Sequence, residues 1–217
     1  MTIRSACFLF AIVLGLSSCV APDTRHHIVI SVPQQRLALL DNGVLLATYP
    51  ISTSKFTLGD WPGSRGTPLG ELKIAEKIGG AAPSGAVFKD RRATGEVLAP
   101  DAPGRDPIVT RILWLRGCEM QNANAHSRYI YIHGTPEERK IGSPASYGCV
   151  RMRSRDVIQL YDIVGSGARV TILNAPLAAI VPTTAPVPPT ADPKSAVALA
   201  EKKPAQSTRA SREMTTR

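Results

Sequence analysis

Two residues in this chain have the types needed for nucleophilic chemistry. His133 ends a β-rich run that starts at Tyr129, and Cys149 follows sixteen positions later, behind Ser146-Tyr147-Gly148. A thiol near an imidazole is the smallest kit for cysteine catalysis: the imidazole takes the proton and the thiolate attacks a carbonyl. Gly148 lets the backbone turn sharply before the cysteine. Consecutive amides around such a turn form an anion-binding nest, which suits a tetrahedral oxyanion. The competing reading is structural, with Cys149 as a small apolar filler and His133 as a satisfied polar residue.

The other cysteines bear on that choice. The segment 1–18 carries one positive charge, Arg4, and an apolar stretch over 6–16. That stretch is too short to span a bilayer and reads as an export signal. Leu16-Ser17-Ser18-Cys19 resembles the bacterial lipobox, so 1–18 is expected to be a lipoprotein signal peptide and Cys19 a lipidated first residue. Cleavage near Ala21 is the alternative, but Pro22 would follow that cut. Residues 19–26 are then a short linker. The expected location is the cell envelope, as a periplasm-facing lipoprotein held by a lipid anchor. Val20, rather than aspartate, follows Cys19, which favours the outer membrane. Cys118 and Cys149 remain as thiols. A disulfide between them is a rival explanation for Cys149, and a buried, apolar Cys118 is the favoured one.

The 217 residues give room for one ordinary domain with appendages. With 26 Lys+Arg against 17 Asp+Glu, the formal charge is +9. That suits an anionic setting. No basic helix, aromatic–basic stripe or zinc-finger spacing points to nucleic acid, and His26, His27 and His126 have no metal-ligand spacing.

The elements that must position His133 and Cys149 are mostly strands. Strand-like runs cover 27–32, 36–40, 44–51, 71–78, 108–115, 129–133 and 168–173. Asp41-Asn42-Gly43 is a strong hairpin signal. The stretches 53–65 and 79–105, rich in Gly, Pro and charge, read as long loops. One helix is expected after the cysteine, with Ser154 as cap, Asp156 in its first turn and Gly165 at its end. Its apolar stripe is Val157, Leu160, Tyr161 and Val164. Residues 175–217, rich in Ala, Pro, Thr, Ser and Lys, are expected to be a disordered tail.

Four segments resemble the L,D-transpeptidase (YkuD-type) catalytic domain. They are 49–56 (YPISTSKF), 67–72 (TPLGEL), 130–135 (IYIHGT) and 146–152 (SYGCVRM), in the family's order. The resemblance covers about 25–174 and places the catalytic domain at 27–174. It implies a mostly β, sandwich-like fold with a short helix after the cysteine. It implies action on peptidoglycan stem peptides: Cys149 would attack the third residue's carbonyl and expel the terminal D-alanine, with His133 as base. The amides of Tyr147, Gly148 and Cys149 would hold the oxyanion. Arg151 would pair with a stem-peptide carboxylate, and Ser146, Gly134 and Thr135 would help to bind the substrate. The acceptor would be another stem peptide or an envelope protein. No metal or organic cofactor is implied. Water as acceptor would give an L,D-carboxypeptidase or endopeptidase, and an inert Cys149 would leave a wall-binding lipoprotein. One departure stands out: Tyr147 occupies the place of the family's second histidine.

Overall fold

The computed structural model describes residues 21–181. A meander opens the fold: β1 (His26–Ser31), β2 (Arg36–Asp41) and β3 (Val44–Pro50). Asn42 and Gly43 both take positive φ, as the hairpin signal requires. β4 (Gly70–Ile78) and β7 (Ile108–Gly117) are the long strands. β5 (Ala86–Lys89) and β6 (Arg92–Val97) form a hairpin between them. β8 (Tyr131–Gly134) and β9 (Val150–Met152) precede helix α1 (Ser154–Ile163), and β10 (Arg169–Leu173) follows it.

All ten strands belong to one mixed sheet, in the order β3-β2-β1-β10-β4-β7-β5-β6, with β8 on β7 and β9 on β8. β1–β10 and β8–β9 are parallel; the other pairs are antiparallel. The main core holds Ile28, Ile30, Leu72, Leu113, Ile132 and Leu160, drawn from both arms of the sheet and the helix. A smaller cluster, Ala86, Phe88, Ile112, Trp114 and Tyr131, packs against Cys149. The mostly β expectation and the helix after the cysteine both hold.

Five details differ from expectation. The stretch 79–105 contains the β5–β6 hairpin, whose turn at Asp90 and Arg91 takes positive φ without an Asn-Gly signal. α1 starts at Ser154 rather than being capped by it: the Ser154 amide donates to Glu138 Oε1 at 2.8 Å. The helix stops at Val164, and Gly165 lacks the positive φ of a left-handed cap. Residues 175–181 are ordered, with Val181 and Leu177 packed on Val29, Ala38 and Leu40. At the other end Asp23 binds the Gly165 amide at 2.6 Å, so the expected linker is tied down before β1. The expected signal peptide, Cys19 and residues 182–217 lie outside the described residues.

Candidate active site

The parallel pairing of β8 with β9 puts His133 beside Arg151 and Ile132 beside Val150. Cys149, one residue before β9, therefore stands level with Tyr131. His133 and Cys149 line one cleft of about 140 Å³, together with Asp106, Ile108, Tyr147 and Arg151.

Side-chain ties hold the turn that delivers Cys149. Ser146 Oγ donates to the Cys149 carbonyl at 2.6 Å and accepts the Gly148 amide at 3.2 Å. Thr67 Oγ1 donates to the Gly148 carbonyl at 3.0 Å and accepts the Ser54 amide at 3.0 Å. Gly148 has φ +124°, and a Cβ there would stand 3.0 Å from the Gly66 carbonyl. Only glycine combines that backbone with so close an approach. The Gly148 amide is thus engaged by Ser146. The amides of Tyr147 and Cys149 have no acceptor among the described residues, so the oxyanion expectation narrows to these two.

His133 is buried, and its Nδ1 lies 2.8 Å from the Gly134 carbonyl. A carbonyl only accepts, so Nδ1 carries the proton and Nε2 is the basic nitrogen. Burial pulls the imidazole down to about 4, against the Gly134 bond and the Asp106 charge; Arg151 pushes further down. Burial also raises the Cys149 thiol to about 11, opposed by a Tyr131 backbone bond and by Arg128 and Arg151. At neutral pH both groups are therefore uncharged. The thiol points at the Tyr129 carbonyl, 3.4 Å away.

Several expected substrate-binding residues are engaged within the protein instead. Arg151 is 2% exposed. Its guanidinium pairs with Asp106, lies 3.2 Å from Glu137 and reaches Ser52 Oγ at 3.3 Å. A buried guanidinium already paired with two carboxylates is not free to receive a third, which overturns its expected pairing with a substrate carboxylate. Thr135 is buried and donates to Asp106. Ser146 serves the turn, and Gly134 supplies the carbonyl for His133.

Asp106 was not singled out by sequence. It ties Arg151 and Thr135 together and faces His133 across the cleft. Its role depends on a partner 45 positions away, and only the Asp106-Pro107 step before β7 marks it. Tyr147 is 62% exposed, with Phe56 at 5.2 Å between ring centroids and Lys55 Nζ 4.7 Å above its ring. Cys118 is exposed rather than buried, and both thiols are free.

The family model for the L,D-transpeptidase catalytic domain matches residues 25–172. The chain belongs to the L,D-transpeptidase catalytic-domain family. Curated relatives agree. A putative L,D-transpeptidase of Bacillus subtilis, YkuD, is 29% identical over 147 residues, covering 68% of this chain and 65% of its own. The probable L,D-transpeptidase YbiS of Escherichia coli K12 is 29% identical over 167 residues, covering 74% of this chain and 49% of its own. The chain thus spans from half to just under two thirds of these relatives. Among solved structures, an L,D-transpeptidase from Mycobacterium smegmatis aligns with a TM-score of 0.45 at 18% identity, covering 69% of this chain and 58% of that one.

Proposed function

We propose that this L,D-transpeptidase domain works on peptidoglycan stem peptides through a Cys149 thioester. His133 Nε2 takes the thiol proton as sulfur attacks the third residue's carbonyl carbon. The amides of Tyr147 and Cys149 donate to the resulting oxyanion. Collapse breaks the peptide bond, and the departing D-alanine amine takes the proton from His133. An acceptor amine then attacks the thioester, His133 receives its proton and returns it to sulfur, and the thiol is restored. The supporting observation is the cleft shared by His133 and Cys149, with Nδ1 held by Gly134 so that Nε2 is left basic. Because both groups rest uncharged, the thiolate forms during attack rather than before it.

The acceptor in this reading is the amine of a second stem peptide or of an envelope protein. Incubating purified tetrapeptide stems with the protein and analysing the products by mass spectrometry tests it. Crosslinked dimer supports transpeptidation. Tripeptide alone makes water the acceptor and the enzyme a carboxypeptidase. No product at all would leave a wall-binding protein. In the same reading Cys19 carries the lipid that holds the domain at the periplasmic side of the envelope. Cys19→Ser should move the protein from the membrane to the soluble periplasmic fraction, and a mature wild-type N-terminus near Pro22 would overturn this.

A further inference from the structure

One face of the sheet carries a row of cations that the proposed chemistry does not use. Arg169 of β10 stands beside Lys73 of β4, and Lys73 beside Arg116 of β7. Antiparallel register partners project from the same face, with Cβ atoms about 4.5–5.5 Å apart, and like charges so placed destabilise a sheet. All three side chains are exposed. Arg169 has Glu71 at 3.9 Å as a partial partner. Lys73 and Arg116 make no ion pair with any described residue. Both line a hollow of about 610 Å³, walled by Ala21, Pro22 and Ala75. Lys77 also lines it, but its Nζ donates to the Val164 carbonyl at 2.6 Å and is already engaged. None of these residues lines the cleft of Cys149 and His133.

Two neighbouring exposed cations without a protein counter-ion repel each other, and an anion seated between them would offset that cost. The wall of Ala21, Pro22 and Ala75 is apolar, so the occupant fits best if it is charged at one end and apolar at the other. The hollow also adjoins the start of the described chain, two residues beyond Cys19. We propose that Lys73 and Arg116 form a binding site for the phosphate headgroup of an anionic membrane lipid. Such a contact seats the domain on the membrane surface at its N-terminal end. It does not require acylation of Cys19 or turnover at Cys149.

The test uses the full chain carrying Cys19→Ser, which has no site for the anchor. Its partition onto phosphatidylcholine vesicles sets the baseline from the apolar N-terminus, and phosphatidylglycerol is then added to the vesicles. Binding above the baseline is expected, and Lys73→Gln/Arg116→Gln should weaken it about thirtyfold, at the usual contribution of a surface cation near anionic lipid. Lys89→Gln/Arg92→Gln removes the same charge from the β5–β6 hairpin and should retain binding. Equal loss in both double variants would mean that net charge alone is responsible and would overturn the site. Soluble glycerol phosphate should compete poorly, since it lacks the apolar part; full displacement at matched concentration would reassign the hollow to a free phosphate ester. Relief of repulsion should leave the Lys73→Gln/Arg116→Gln variant with an equal or higher Tm. A variant that melts earlier would remove the premise that these cations repel.

Discussion

Thr110 enters the left-handed region, at φ 73°, where β7 passes His133 on β8. The register jumps from Val109 opposite Gly134 to Ile112 opposite His133, leaving Thr110 and Arg111 as the bulge between. A β-branched residue at positive φ is strained. Here two contacts hold it: Thr110 Oγ1 accepts the Gly85 amide at 2.9 Å and meets Ser154 Oγ at 2.7 Å. The bulge thus links the histidine strand to the start of α1. Thr110→Val keeps the strain and removes both contacts. It should cost about 1–3 kcal/mol in denaturant unfolding, the usual penalty for an unsatisfied buried group, and lower turnover. Thr110→Ser, which keeps the hydroxyl, should recover most of both.

Cys149→Ala should abolish product and leave the melting curve close to wild type, because the side chain is small. A β-lactam of the carbapenem class should add its mass to the wild type and not to the variant. His133→Ala should react about 10²–10⁴-fold more slowly, as removal of a positioned base does. Product formation by Cys149→Ala at the wild-type rate would end the thioester reading.

The depressed His133 pKa makes a stability prediction. The folded imidazole binds its proton near pH 4, whereas an unfolded one binds near 6.5. Between those values the unfolded chain holds more protons, so acid favours unfolding. Stability should fall as the pH drops from 6.5 towards 4, by an amount on the order of 3 kcal/mol. His133→Gln should be less stable at pH 7 but flatter across that window. Parallel urea-unfolding curves for the two proteins from pH 7 to 4 would contradict the assignment.

Asp106→Ala leaves Arg151 buried with only Glu137 and Ser52 as partners. Removing one member of a fully buried ion pair typically costs about 3–5 kcal/mol; Asp106 is itself partly exposed and Glu137 remains, so the cost here should fall below that range. Since Asp106 also supports the charged imidazole, the variant should shift the acid limb of the pH–rate profile to lower pH. A shift to higher pH would place the source of that charge elsewhere.

Oxidation should not act through Cys118. Cys149 is level with Tyr131, which pairs with Trp114, and Cys118 lies four residues further on, just past the end of β7. That is roughly 13 Å along the strand and two strand spacings across it, beyond the ~7 Å Cα limit for a disulfide. Cys118→Ser should therefore lose activity to peroxide at the wild-type rate. Resistance in that variant would reinstate the bridge.

The sequence exposed those parts of the site that depend on local chemistry. A histidine at a strand end and a cysteine behind a glycine can be read directly, because type and neighbours suffice. Arg151 was misread because its partners, Asp106 and Glu137, are brought to it only by the fold. The β6 segment Arg92–Val97 is exposed along its whole length; its polar residues alternate with the small Ala93 and Gly95 and a single Val97, so no large apolar face marks it. β9 is three residues long and buried throughout, too short for any period to show. Ser154 looked like a cap because the type is right, yet its hydroxyl meets Thr110 and Glu138 holds its amide.

The position of β10 has a consequence for how the chain matures. It is the last of the described strands to be synthesised, yet it lies between β1 and β4. Until residue 173 has been delivered, the β1–β3 meander and the β4–β7 arm each present an unpaired edge, and no central strand joins them. The closing contacts span 142 residues to β1 and about a hundred to β4, so this topology assembles late and slowly. A nascent chain that cannot close its sheet stays incompletely folded, with its core divided between two open arms. Both arms gain their shared core only once β10 is in place.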